Sequence, residues 1–359
     1  MDLFPVTLLT GFLGSGKSTL LTEILKQPGF DKTAVVVNEF GEIGLDGVLI
    51  KHSEDQIVEM TSGCLCCTIR GDIRQTLLDL HTKRTNGDIP TFNRVIVEST
   101  GLADPAPVVH TLMSDPLLDR RYMLGGVVTT IDALTGVATL ENHEECEKQA
   151  AVADRLVITK TDLANSLNTE GSLGELQARL SALNPTATIL DRHDAAFDYN
   201  RLFDTSLFDP DTKSVNARSW LNAEASGYHH NQDDNHSHAH DCDHHHHDVT
   251  RHGFDIRSFT LTFDEPVTIE AFASSLEALS LTQGSSILRI KGIVNTIDRP
   301  GMPLVIHGVQ HVFHDPVWLD DWPDEDHQTK LVFITKGIER ETVNLFFKAW
   351  ISSSKGSLR

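Results

Sequence analysis

The feature that most restricts the fold is a short run, Gly11-Phe12-Leu13-Gly14-Ser15-Gly16-Lys17-Ser18, which matches G-x-x-x-x-G-K-[ST]. It stands between a β-rich run, Val6 to Thr10, and a segment of helical character from Ser18 to Lys26. Strand, loop, helix is the order in which such a loop cradles phosphate groups. Glycines let backbone N–H groups close around an anion, and the N-terminus of the following helix adds positive potential. Lys17 is placed to reach β and γ phosphates, and the Ser18 hydroxyl to hold Mg²⁺. The candidate nucleotide-binding residues here are Gly11, Gly14, Ser15, Gly16, Lys17, Ser18 and Thr19.

Other apolar runs continue the pattern: Ala34 to Val37, Arg94 to Val97, Gly126 to Ile131 and Arg155 to Ile158, separated by stretches long enough for crossover helices. Strands without polar alternation are covered on both faces, so the reading is α/β: a P-loop NTPase domain with a mostly parallel, doubly wound sheet. A length of 359 residues exceeds one hydrophobic core and calls for a second domain. Between Gly227 and Gly253 the composition changes sharply, holding ten of the nineteen histidines, five aspartates and Cys242. Nothing there can bury a core, so it reads as a flexible linker. Beyond it come a strand at Ile256 to Phe263, a helix from about Val267 to Leu279, and strands near Ser286 to Asn295, Pro303 to Val312 and Leu331 to Thr335. A last helix runs from Glu339 to Ile351. This is a smaller α+β domain with helices on one face of a mainly antiparallel sheet. The expected division is a P-loop domain over 1–215, a His-rich linker over 216–253 and a C-terminal domain over 254–359.

Three further motifs carry chemistry. Val95-Ile96-Val97-Glu98-Ser99-Thr100-Gly101 ends an apolar strand on an acid. Glu98 would act through the Mg²⁺ shell or the attacking water, and the Gly101 N–H would meet the γ-phosphate, so Lys17, Glu98 and Gly101 form the candidate catalytic set. Thr159-Lys160-Thr161-Asp162 follows another strand. There the Asp162 carboxylate can accept two hydrogen bonds from guanine, while the Lys160 stem packs along the base. Its first position is Thr where the usual motif has Asn. Cys64-Leu65-Cys66-Cys67 lies between the phosphate loop and Glu98. Adjacent thiolates at Cys64, Cys66 and Cys67 are soft ligands for Zn²⁺ or Cu(I). Asn38-Glu39-Phe40-Gly41-Glu42 adds Glu39 as a candidate for Mg²⁺ through water and Glu42 as a candidate for a mixed thiolate and carboxylate site. In the linker, His244, His245, His246 and His247 are candidates for weak, fast-exchanging metal contact.

Charge and cysteine usage exclude other classes. A net charge of −21 repels nucleic acid and anionic lipid, and no basic stretch offsets it. The start lacks a signal peptide's basic region and cleavage site, no stretch approaches a bilayer span, and five cysteines suit a reducing compartment. The expectation is a cytoplasmic protein with neither nucleic acid nor membrane as partner.

Together the motifs resemble the CobW-like family of P-loop GTPases. The likeness runs in order through Gly11 to Ser18, Asn38 to Glu42, Gly63 to Cys67, Glu98-Ser99-Thr100-Gly101-Leu102-Ala103-Asp104-Pro105 and Thr159 to Asp162. It implies GTP hydrolysis coupled to transfer of Zn²⁺, or of Co²⁺, to a client metalloprotein or cofactor pathway, often through dimers. Where some members carry an acid before Asn38, this chain has Val37. The family spans cobalamin synthesis, nitrile hydratase activation and zinc homeostasis. Two rival readings are a small-molecule kinase on the same scaffold and a metal-buffering protein with a vestigial nucleotide site.

Overall fold

Eight strands form the first sheet because its central runs are apolar on both faces. A computed structural model describes residues 3–37, 47–51, 57–61, 69–166, 170–203, 255–323 and 325–356. In chain order the elements are β1 (Phe4–Gly11), α1 (Lys17–Lys26), β2 (Thr33–Val37), β3 (Gly47–Lys51), β4 (Ile57–Thr61), α2 (Ile69–Asn86), β5 (Arg94–Glu98) and α3 (Ala106–Ser114). They continue with β6 (Tyr122–Asp132), α4 (Gly136–Asn142), α5 (Glu144–Val152), β7 (Arg155–Thr159), α6 (Thr161–Ser166), α7 (Glu170–Leu183) and β8 (Thr188–Asp191). The strand order is β4-β3-β2-β5-β1-β6-β7-β8. Along β2-β5-β1-β6-β7-β8 the pairs are parallel, and among the described residues of this sheet the β2–β3 and β3–β4 pairs run antiparallel.

Alternation along β1 shows why both faces must be covered. Val6 and Leu8 enter a cluster with Leu77 of α2 and Val109 of α3, whereas Leu9 joins Leu20 and Ile24 of α1 on the other face. A third cluster packs Leu156 and Ile158 of β7 against Ala150 of α5 and Leu176 of α7. The β3–β4 hairpin is an addition that the apolar-run reading did not anticipate.

Register fixes what shares the sheet's chemical edge. Leu9 pairs with Glu98, and Glu98 with Val37. Val36 pairs with Val48, and Gly47 with Thr61. Val37, Gly47 and Thr61 therefore lie along the same edge as Glu98 and the start of the phosphate loop.

The second sheet contains β9 (Ile256–Phe263), β10 (Ile287–Val294), β11 (Leu304–Val309), β12 (Val312–Phe313), β13 (Val317–Trp318) and β14 (Thr329–Lys336). Its order is β12-β11-β10-β14-β9 with β13 also on β11, and all pairings are antiparallel. The helices Ile269–Gln283 and Arg340–Gly356 cover one face, where Phe272, Leu276 and Phe347 meet Ile290 and Phe333. Thr268 caps the first of these helices, its hydroxyl accepting from the Ala271 N–H at 3.2 Å. The opposite face meets the first domain: Leu288 and Ile334 pack on Ala151 of α5, and Val309 joins the cluster containing Val6 and Leu8. No helix among the described residues is long and apolar enough to cross a membrane.

Candidate nucleotide-binding site

The phosphate loop is held from beneath by hydroxyl groups of neighbouring strands. Ser15 Oγ lies 2.6 Å from Thr130 Oγ1 of β6, and Thr159 Oγ1 donates to the Ser15 carbonyl at 2.8 Å. The second contact supplies a reason for threonine at position 159. Its hydroxyl ties the Thr159 to Asp162 segment to the Gly11 to Ser18 loop, and its other neighbour is the Ile131 carbonyl at 3.2 Å. Gly16 caps α1 in the left-handed region, at φ 90°, which an L side chain adopts only at a cost. No side chain caps this helix, and its first turn carries no acid. Its leading N–H groups thus face the loop, an arrangement suited to an anion. The buried Lys17 ammonium donates to the carbonyls of Gly11 at 2.8 Å and Phe12 at 3.1 Å.

Ser18 and Glu98 come together although eighty residues separate them. Ser18 Oγ donates to Glu98 Oε1 at 2.7 Å, and Glu98 is 5% exposed. A hydroxyl and a carboxylate side by side at the mouth of a phosphate loop are hard oxygen donors of the kind Mg²⁺ takes, so the residues present fit that ion. Ser99 anchors the next residue: its N–H donates to the Leu9 carbonyl at 2.9 Å and its hydroxyl to Thr10 Oγ1 at 2.8 Å. Gly101 then lies directly on the phosphate loop. A Cβ there would come within 2.6 Å of the Leu13 backbone nitrogen, so only glycine allows this approach.

The candidate base-recognition residues, Lys160 and Asp162, occupy the far side of the loop. Lys160 takes a left-handed backbone conformation, φ 58°, and its ammonium donates to the Gly14 carbonyl at 2.7 Å and to Asp132 Oδ2 at 2.6 Å. Asp162 Oδ1 lies 3.3 Å from His193 Nε2. Thr161 Oγ1 donates to Asp191 and also lies 3.0 Å from His193 Nδ1, which links Asp162 to the end of β8. Sequence reasoning missed Asp132 and His193. Asp132 was available, since it ends the apolar run Gly126 to Ile131 as Glu98 ends its own. His193 has no local signal, because its relation to Asp162 comes from β7 and β8 pairing side by side.

Of the predicted site residues, Gly11, Gly14, Ser15, Gly16, Lys17, Ser18, Thr19, Glu98, Gly101, Lys160 and Asp162 gather at this one edge of the sheet. Glu39, Glu42, Cys64, Cys66, Cys67, His244, His245, His246 and His247 lie outside the described residues. Among the described residues no group of three or more His, Cys, Asp or Glu side chains is arranged to hold a metal ion. Cys146 of α5 is buried, and burial together with Glu147 pushes its thiol up to about 12, which makes it an inert core residue.

Residues 5–191 match the CobW/HypB/UreG nucleotide-binding domain, and residues 256–350 match the cobalamin synthesis protein cobW C-terminal domain. The zinc chaperone YjiA of Escherichia coli (strain K12) is 32% identical over 347 residues, covering 97% of this chain and 98% of the relative. The zinc-regulated GTPase metalloprotein activator 1 of Schizosaccharomyces pombe is 29% identical over 365 residues, covering 95% and 84%. The crystal structure of the Zn(II)-bound YjiA GTPase superposes with a TM-score of 0.69 at 30% identity, over 98% of this chain and 99% of that one.

Proposed function

The chain belongs to the CobW family of P-loop GTPases, and from that membership we propose that it is a zinc metallochaperone whose GTP hydrolysis governs the loading of a client protein. The observation that supports this reading is the Ser18–Glu98 contact, three residues before Gly101, at the edge where Val37 and Thr61 also lie. Those two residues immediately precede the segments containing Asn38 to Glu42 and Cys64 to Cys67. Zinc takes precedence over cobalt because three thiols are soft ligands and because relatives along nearly the whole chain are named for zinc.

In the proposed cycle, N–H groups of Gly14 to Thr19 receive the phosphates, and Lys17 turns from the Gly11 and Phe12 carbonyls to the β and γ oxygens. Asp162 reads guanine, with His193 Nε2 3.3 Å from one of its oxygens and Lys160 lying along the base. Ser18, with Glu98 and Glu39 serving through water, would hold Mg²⁺, which would supply neutralisation of charge on the phosphates. The Gly101 N–H meets the γ-phosphate, so hydrolysis frees the segment that follows Glu98. We assign the metal cargo to Cys64, Cys66 and Cys67 with Glu42, and to His244 through His247 a looser contact.

Switching almost completely between holding and releasing needs about 5.5 kcal/mol of differential binding, well inside the roughly 10 to 16 kcal/mol of structural zinc sites. The client, a homodimeric state, a cytoplasmic location and the division at 1–215, 216–253 and 254–359 belong to the same proposal. Its test is titration of Zn²⁺, Co²⁺ and Ni²⁺ into protein lacking 227–253, with GDP and then with a non-hydrolysable GTP analogue. The expected result is tight zinc binding that changes with the nucleotide. Identical affinity in both nucleotide states would overturn the coupling.

A further inference from the structure

Helix α5 touches three places that the sequence keeps far apart. At its N-terminal end His143 packs against Phe12 of the phosphate loop, with ring centroids 4.5 Å apart. Midway, the fully buried Gln149 donates its side-chain amide to the carbonyls of Gly101 at 3.2 Å and Ala103 at 3.0 Å. The main chain that carries this amide is itself fixed, because the Gln149 carbonyl accepts from Thr129 Oγ1 of β6 at 2.9 Å. At the C-terminal end Arg289 of β10 donates to the Val152 carbonyl at 2.6 Å and pairs with Asp154. Lys291 reaches Asp154 at 3.0 Å, and the other Asp154 oxygen accepts from the Val127 N–H at 2.9 Å. Lys336 of β14 pairs with Glu144 in the first turn of the helix. One rigid helix thus spans from the loop after Glu98 to the face of the second sheet.

We propose that Gln149 is a positioning residue for GTP turnover, and that the C-terminal sheet acts on turnover by clamping the end of α5 through Arg289. The inference rests on the reading that the Gly101 N–H meets the γ-phosphate. A primary amide suits the role because one nitrogen carries two donors, and both are used on carbonyls two residues apart. Peptide units are planar, so holding the Gly101 and Ala103 carbonyls fixes the planes of the units that contain them and keeps Gly101 against Leu13. A loop held in place before the γ-phosphate arrives pays less ordering entropy in the transition state. A second route leads the same way. α3 begins three residues after Ala103, and its His110 Nε2 lies 3.0 Å from the Val309 carbonyl of β11.

The test uses the full chain. Gln149→Leu keeps the size and removes both donors, and Arg289→Lys keeps a cation for Asp154 but loses the forked grip that also takes the Val152 carbonyl. Gln149→Leu is expected to lower kcat for GTP about tenfold while GDP affinity stays within about twofold, because only the γ-phosphate depends on the loop. Arg289→Lys should lower kcat in the same sense by about two- to fivefold, and amide hydrogen exchange at residues 100–104 should speed up in both variants. Parent-like kcat and exchange in a folded Gln149→Leu protein would overturn the role of Gln149. If that variant does not fold, Arg289→Lys decides alone, and parent-like kcat with parent-like exchange at 100–104 overturns the inference. The parent chain tests the underlying reading separately. Equal protection of 100–104 by GDP and by the GTP analogue removes the Gly101 reading; greater protection by the analogue, with unchanged turnover in the variants, removes only the present inference.

Discussion

The edge of the first sheet and the inner face of the second both concentrate charge, but they hold it in opposite ways. At the edge, Lys17 and Lys160 donate to loop carbonyls, contacts that an arriving anion or base can replace. On the inner face, Arg289, Lys291 and Asp154 have side chains no more than 3% exposed and are committed to one another. Burial opposes ionisation of Asp154, yet the two cations outweigh it and hold the carboxyl far below the usual carboxylate range. The first arrangement leaves its charge open to exchange; the second commits it to another part of the same chain. Exchangeable charge sits where strands give way to loops and helices at the sheet's edge, and committed charge sits on β10 and just past the end of α5.

Mutations that treat the two regions alike should give unlike results. The largest effect is expected from Asp154→Ala, which leaves two buried cations without their carboxylate and should cost about 3–5 kcal/mol in urea unfolding. Asp132→Ala at the edge should cost under about 1 kcal/mol, since its partner Lys160 is 35% exposed and water replaces the lost contact. If the two cost the same, the contrast is wrong. Next, Lys17→Ala should lower kcat/KM for GTP about 100-fold or more, near 2.7 kcal/mol, while the melting temperature moves little. Thr159→Val should weaken GTP and GDP about fivefold together, near 1 kcal/mol, because it loosens the Ser15 carbonyl that both nucleotides share.

The smallest effect sharpens the contrast through pH. Burial, followed by the nearby Lys291, holds His307 well below its ordinary value, and burial pushes His314 down to about 4. Between the ordinary imidazole value near 6.5 and about 4, the unfolded chain binds protons that the folded chain refuses. Stability should therefore fall as pH falls through that window. Thermal melts from pH 7 to 4.5 should show it, and His307→Gln should flatten the slope.

What could be read beforehand divides along the same line. Gly11 to Ser18, Glu98 to Gly101 and Thr159 to Asp162 stood out beforehand because each is a short run whose residue types suit the chemistry of phosphate, Mg²⁺ or guanine, and the structure gathers them at one edge of the sheet. Apart from β8 and β13, most strands of both sheets followed from apolar runs. The β3–β4 hairpin did not, because Gly47 to Lys51 and Ile57 to Thr61 are brief and mix polar with apolar residues. Gln149 looked like any polar residue on a helix, with Lys148 before it and Ala150 after, and its contacts arise only when β6 and the loop after Glu98 close around it. Arg289 and Asp154 were invisible for the same reason, since nothing local to either one names the other.

The distance between those two residues along the chain also has a bearing on how the protein is made. Asp154 precedes Arg289 by 135 positions. At roughly 5 to 20 residues per second on the ribosome, about 7 to 27 s separate the synthesis of Asp154 from that of its counter-ion. During that interval the end of α5 faces water, and Asp154 is solvated by the cell rather than by Arg289. Vectorial synthesis thus gives the nascent first domain a period in which its nucleotide edge is complete while the clamp on α5 has yet to be translated.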